Sequence, residues 1–267
     1  MTQLYNDPAM NQVHNEKWDK ETLQSAHCRE DKKKRVQKMF SEIAGRYDLL
    51  NHTLSANQDH RWRRFGVKCA ELKGGMSVVD ICCGTGDMAF EFAKAAPNLK
   101  KVTGVDFVEN MLTIAQKKGD TFQKKHGKKI ELSWICSDAE NITMLPDEAF
   151  DRASCVFGMR NLQTLNSGLS EMYRLLKPGG RGIILEFDLP RNKILNWGYQ
   201  IYFRYILPLI GKIISQDKTG AYKYLPESVC QFDARKLIPE GLKAAGFHTV
   251  KIKELNFGSV LIFIAEK

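Results

Sequence analysis

A chain of 267 residues that is 43% hydrophobic and 27% charged has the composition of a soluble globular protein, long enough to bury roughly 70–75% of its unfolded surface. Collagen, a disulfide scaffold, a coiled-coil rod and wholesale disorder are excluded. Lys+Arg 40 against Asp+Glu 31 leaves a net charge of +9, which favours nucleic acid, an anionic bilayer or a phosphorylated substrate as partner without choosing among them.

The seven Cys include no Cys-x-x-Cys pair, so the chain reads as the product of a reducing compartment. Met1 to Lys34 lacks the apolar core of a secretory signal and carries acidic residues that a mitochondrial presequence avoids. A cytoplasmic location is the expectation. Residues 1–34 are polar and read as a flexible arm, with Lys32-Lys33-Lys34-Arg35 as a solvated helix start or a nucleic-acid contact. Residues 35–267 read as one domain.

Helical spacing begins at Val36 and runs through Met39, Phe40, Ile43 and Tyr47; a second stripe is Trp62, Phe65, Cys69 and Leu72, closed by Gly74-Gly75. Two helices are therefore predicted over 35–75, with Tyr47-Asp48-Leu49-Leu50-Asn51 between the stripes. Short β-branched runs follow at Ser77–Cys82, Val102–Asp106, Ile130–Cys136, Arg152–Phe157 and Gly182–Phe187, alternating with helical stretches. Thr249–Glu254 and Ser259–Ala265 are separated by a few residues only. Five crossover strands and a closing hairpin predict a doubly wound α/β sheet whose last strand is antiparallel.

The most apolar stretch, Ile194 to Ile214, is interrupted by Asn196, Gln200, Arg204, Pro208 and Lys212, which argues against a transmembrane helix. It reads either as a buried helix pair broken at Pro208 or as an apolar lid within residues 194–228. In the lid reading Trp197 and Phe203 are candidate substrate contacts. Trp197, Tyr199, Tyr202, Phe203 and Tyr205, with Arg204 and Lys212, also suit the surface of an anionic membrane.

The run Val78-Val79-Asp80-Ile81-Cys82 leads into Cys83-Gly84-Thr85-Gly86-Asp87. Glycines at such a turn let a ligand approach the backbone and open a helix whose N–H groups face it. Asp106, about 20 residues on, ends the second strand, where a carboxylate can take both hydroxyls of a ribose. Asp80 lies inside the first strand, placed to hold a water or an ammonium group beside the turn. Ser137-Asp138-Ala139 ends the third strand, and Leu176-Lys177-Pro178-Gly179-Gly180 turns the chain into the fifth. Together these features resemble the class I S-adenosylmethionine-dependent methyltransferases, which have a Rossmann-like seven-stranded sheet. The resemblance implies S-adenosylmethionine as cofactor, with Gly84, Thr85 and Gly86 in its loop, Asp106 on the ribose and Asp138-Ala139 beside the adenine.

Tyr47-Asp48-Leu49-Leu50-Asn51-His52-Thr53-Leu54-Ser55 with Trp62 beyond it, Phe157-Gly158-Met159-Arg160-Asn161, Arg174 to Gly180 through Glu186, and Tyr222-x-Tyr224-Leu225-Pro226-Glu227-Ser228 resemble the signatures of the quinone-biosynthesis C-methyltransferases. The resemblance runs from about Val36 to Lys267. Asp59 stands where that pattern has His, and Asp188 where it has Ser. The implied reaction is methylation of a prenylated quinol, demethylmenaquinol or a ubiquinone precursor, with Asn51 and Trp62 near the substrate.

Transfer to a ring carbon needs electron density there, which loss of a phenolic proton supplies. An unperturbed phenol has a pKa of about 10, so a cation or a positioned base must favour the phenolate. Arg160, always charged, and Asn161 at the end of the fourth strand are the first candidates; a loop-holding salt bridge is the alternative for Arg160. Tyr47, Asp48 and Asn51 can orient the ring or relay the proton, or, for Asp48 and Asn51, cap a turn. His52 and His60 are candidate bases. No His/Cys/Asp cluster has metal spacing, so no metal is expected. Another apolar acceptor, a sterol or fatty chain, shares the fold. A nucleic-acid substrate is disfavoured, since no Pro-Cys and no Asn-Pro-Pro-Tyr occurs. A homodimer is left open.

Overall fold

The computed structural model describes Trp18, Leu23, Ala26, His27 and residues 30–126, 130–201 and 220–267, the side chain of Tyr222 excepted. Phe203, with Tyr202, Arg204, Tyr205, Pro208 and Lys212, lies outside the described residues, as does most of the expected arm.

Every residue of the β-branched run β1 (Ser77–Ile81) is buried, because it lies inside the sheet. The other strands are β2 (Lys101–Asp106), β3 (Glu131–Cys136), β4 (Phe150–Val156), β5 (Leu176–Phe187), β6 (Thr249–Leu255) and β7 (Val260–Glu266). They form one sheet in the order β3-β2-β1-β4-β5-β7-β6. The pairs through β5 are parallel, with Asp80 beside Gly104 on one side and Ser154 on the other. The two involving β7 are antiparallel. β5 begins earlier than the sequence predicts: Leu176 already pairs with Phe150, and the ladder resumes at Arg181 beyond the Pro178-Gly179-Gly180 bulge.

Period-two alternation splits β7 between two cores. Leu261, Phe263 and Ala265 face α6 (Leu165–Leu175) and α9 (Ala234–Ala245). Val260, Ile262 and Ile264 face α3 (Gln58–Cys69) and α4 (Asp87–Ala95). α5 (Glu109–His126) lies over β2 and β3. At the sheet edge, β6 exposes Lys251, Lys253 and Glu254, charges that discourage further strand pairing.

Over residues 30–75 there are three helices, not the predicted two. The stripe from Val36 is broken after α1 (Lys32–Ile43) by a single 3-10 turn at Ala44–Arg46, and Tyr47 opens its own helix, α2 (Tyr47–Leu54). Among the described residues of the expected arm, Trp18, Leu23 and Ala26 are buried and pack with Val36 and Met39 of α1 and with Tyr224 of α8 (Ala221–Gln231). Their apolar surface is sparse in sequence but converges in space, which periodicity does not register. Lys32 and Arg35 are buried rather than solvated. Of the expected lid, α7 (Lys193–Ile201) and α8 are described.

Candidate active site

The chain turns sharply out of β1. Cys82, Gly84 and Gly86 take φ of 56°, 55° and 88°, and α4 starts at Asp87 with Gly86 as its cap. A Cβ on Gly86 would lie 2.7 Å from Trp134 Cη2, so the turn packs only as glycine. Asp106 holds the turn from β2. Its Oδ2 accepts the Gly84 N–H at 2.8 Å and its Oδ1 the Val108 N–H at 2.9 Å. The Phe107 amide adds a third backbone donor to the carboxylate. Burial raises the Asp106 pKa against the pull of those amides.

Gly84, Asp106, Asp138, Ala139 and Asn161 line a cleft at the strand ends, the position where open α/β sheets bind ligands. Lys33 of α1 reaches across it and pairs with Asp138. Thr85 does not line the cleft; its hydroxyl donates to Asp48 Oδ1 at 2.5 Å. Asp80 is buried below the turn, with Ser154 Oγ donating to Oδ1 at 2.6 Å and Oδ2 lacking a hydrogen-bond partner. Burial pushes its pKa up to about 7.

A second cavity of about 450 Å³ adjoins the cleft, and Phe40, Tyr47 and Phe157 line both. Its walls are largely aromatic and aliphatic, including Leu50, Trp62, Phe187, Tyr199, Tyr224 and Leu225, with Asn51, Asp59, Arg63, Arg160 and Asn256 as polar groups. Tyr47 sits between the two spaces, and burial raises its pKa, so its phenol stays protonated. Trp62 is fixed by its Nε1 donating to Asn256 Oδ1 at 3.1 Å and by edge contacts with Phe157 and Phe187.

Arg160 and Asn161 sit on a 3-10 turn after β4, at Met159–Asn161. Glu186, wholly buried on β5, takes Arg160 Nη1 at 2.6 Å and the Arg160 backbone N–H at 3.1 Å. Nη1 also donates to Phe157 O at 2.7 Å, the guanidinium lies 5.4 Å from the Phe187 ring centre, and Nε has no partner. The salt bridge and the cavity-wall position therefore coexist. Asn161 donates to Phe157 O at 3.1 Å and accepts from Tyr224 OH at 3.0 Å.

Asp48 and Trp197 also lie off the walls of both spaces. Asp48 binds Thr85 and, at 2.9 Å, Lys118, tying α2 to the glycine turn and α5. Trp197 is 68% exposed, because α7 turns it outward, while Tyr199 two residues later lines the cavity. Lys33, Arg63, Lys118 and Asn256 escaped sequence reasoning. Only Arg63 carried a signal, one helical turn after Asp59. The two form a buried ion pair.

His52, Asp59 and His60 bring possible ligand atoms within 4.8 Å of one another, a cluster that spacing did not reveal. The Asp59 carboxylate is already held by Arg63, His52 Nδ1 at 2.8 Å and Ser55 Oγ at 2.8 Å. Burial opposes its ionisation, but Arg63 and these donors bring its pKa below the usual range. A cation would have to displace them.

A model of the ubiE/COQ5 methyltransferase family matches residues 28–267. The chain is 40% identical over 237 residues to a ubiquinone/menaquinone biosynthesis C-methyltransferase UbiE of Geobacter sulfurreducens, covering 89% of this chain and 90% of that one. It is 40% identical over 229 residues to a demethylmenaquinone methyltransferase of Thermus thermophilus, covering 86% of this chain and 100% of that one. Among solved structures, it is similar to a SAM-dependent methyltransferase from Aquifex aeolicus, with TM-score 0.54, 21% identity, and coverage of 76% and 88%. The [4+2]-cyclase SpnF matches at TM-score 0.61, 17% identity, and coverage of 88% and 96%. At such identities the structural likeness carries the fold alone.

Proposed function

The chain belongs to the ubiE/COQ5 methyltransferase family, and from that premise we propose that it methylates a ring carbon of a prenylated quinol, demethylmenaquinol to menaquinol. Its relatives' names favour this acceptor over a sterol or fatty chain. S-adenosylmethionine is the cofactor and supplies an electrophilic methyl group on a sulfonium. The turn that brings the Gly84 backbone to the cleft, the Asp106 carboxylate beside it and the unpartnered Asp80 Oδ2 fit that cofactor. We assign Gly84 and Asp106 to its ribose side and Asp138 with Ala139 to its adenine.

The observation that carries the reading is the 450 Å³ aromatic cavity meeting the cofactor cleft at Tyr47 and Phe157, with the Arg160 guanidinium in its wall. There Arg160 favours the phenolate of the quinol by charge, and ionisation raises electron density on the ring carbon. Tyr47, kept protonated, is a donor at the junction, and Asn51, Asn161 and Trp62 orient the ring. The test removes the guanidinium without stranding its buried partner, since an unpaired buried carboxylate is itself destabilising. Arg160→Gln with Glu186→Gln should lower kcat by about 10²-fold or more with cofactor affinity unchanged by calorimetry. A fully active double variant removes Arg160 from the chemistry.

We further propose peripheral contact with an anionic membrane, from which such a substrate is drawn. Among the described residues no helix is long and apolar enough to cross a bilayer. Ile194 and Trp197 on α7 are 78% and 68% exposed, and Phe257, beside the cavity residue Asn256, is 82% exposed. Such groups suit an interface. Anionic vesicles should bind the protein, less so in high salt, and Trp197→Ser with Phe257→Ser should abolish binding while the cofactor still binds. A homodimer covering the same face would instead show as concentration-dependent sedimentation without vesicle binding.

A further inference from the structure

Lys32 opens α1 and is 3% exposed. Its ammonium leaves the helix for the turn that carries Arg160 and Asn161. Nζ donates to the carbonyl of Arg160 at 3.0 Å and to that of Leu162. A buried ammonium is costly unless its donors are satisfied, so this contact fixes the turn as firmly as it fixes the lysine. Nζ also lies 3.3 Å from His27 Nδ1, while His27 Nε2 is 2.9 Å from the carbonyl of Ser228 on α8. A carbonyl only accepts, so Nε2 carries the proton and Nδ1 accepts from Lys32. Burial, with the charges of Lys32 and Arg160, lowers the His27 pKa to about 4 and keeps the ring neutral.

The same turn is held from its other side. Tyr224 of α8 donates to Asn161 Oδ1, and the Trp18 ring packs 4.4 Å from that of Tyr224. Segments outside the sheet thus reach the Arg160 turn by two routes, His27–Lys32 and Trp18–Tyr224. On the first route, the backbone of Arg160 is gripped at its carbonyl by Lys32 and at its N–H by Glu186.

We propose that Lys32 is a positioning residue for the reaction: by holding the carbonyls of Arg160 and Leu162 it sets the turn from which the Arg160 guanidinium faces the substrate cavity. The proposal rests on the assignment of Arg160 to phenolate stabilisation. Reactive groups held even about 1 Å out of place lose on the order of 10²-fold in rate. The titratable groups facing Arg160 are Glu186 on β5, Tyr224 on α8, Tyr47 on α2, and Lys32 and His27 from the N-terminal side.

The test is the pH profile of kcat with a reduced quinol. A cation beside the phenol lowers its pKa in the complex, so a displaced guanidinium raises it and moves the acid limb to higher pH. Lys32→Met is expected to lower kcat at neutral pH by roughly 10- to 100-fold, to shift the acid limb upward by about one pH unit and to recover activity in alkali. Lys32→Arg, which keeps the donors, should move back towards the parent profile. A Lys32→Met enzyme whose kcat is unchanged, or falls equally at every pH, would overturn the proposal, provided that Arg160→Gln with Glu186→Gln does move the limb. If that double variant leaves the limb in place, the assignment of Arg160 fails, and the role of Lys32 with it. Should Lys32→Met not fold, Lys32→Gln, too short to hold both carbonyls, carries the test: an upward shift of the acid limb supports the proposal, and none overturns it.

Discussion

Asp80 is a carboxylic acid placed where a carboxylate is expensive. With one oxygen held by Ser154 and the other unpartnered, burial lifts its pKa from 3.8 to about 7. Below the lower value the group is protonated in both the folded and unfolded chain and costs nothing. As pH rises towards 7 the unfolded chain ionises first, and the folded state loses stability, on the order of 4 kcal/mol in all. Above about 7 the loss is complete. Asp80→Asn should therefore gain stability relative to the parent between pH 4 and 8. Urea unfolding at pH 5 and pH 8 checks this, and a difference that does not vary with pH contradicts it. Positions of site residues were more legible in the sequence than the directions of their side chains. Spacing put Gly84, Asp106, Asp138 and Arg160 at strand ends, because strand ends follow from β-branched runs. It did not tell that Thr85 and Asp48 face each other instead of the cleft, since the direction of a side chain at a turn depends on φ values such as that of Cys82.

The strands were legible as elements because each is a short β-branched run with turn residues at its ends, and the closing hairpin because its two runs nearly touch. The N-terminal region was not. Ala44-Gly45-Arg46 interrupts a stripe that looks continuous, and Trp18 belongs to no periodic pattern at all. Yet Trp18 is 2% exposed and packs against Tyr224, a residue some two hundred positions away whose own ring borders the cavity. Trp18→Ala should cost about 3–5 kcal/mol, the usual loss for a buried aromatic. Denaturant unfolding that shows no change would return residues around Trp18 to a loose arm. The hydrogen bonds of Lys32 were equally hidden, for a run of four basic residues reads as a solvated surface unless the carbonyls that receive one of them are known.

At the scale of the molecule, two neighbouring spaces share three aromatic walls. The cleft carries acids and glycines at the ends of β1, β2 and β3; the cavity is apolar with an arginine at the end of β4. This division matches a polar cofactor meeting a greasy acceptor. The phenolate mechanism requires an acceptor quinol that can lose a phenolic proton. The most direct measurement supplies methyl-labelled S-adenosylmethionine with demethylmenaquinone in its reduced and oxidised forms and follows label into the ring. The reduced form should take one methyl on carbon and the oxidised form none. Equal labelling of both forms, or of neither, would contradict the phenolate mechanism at its root.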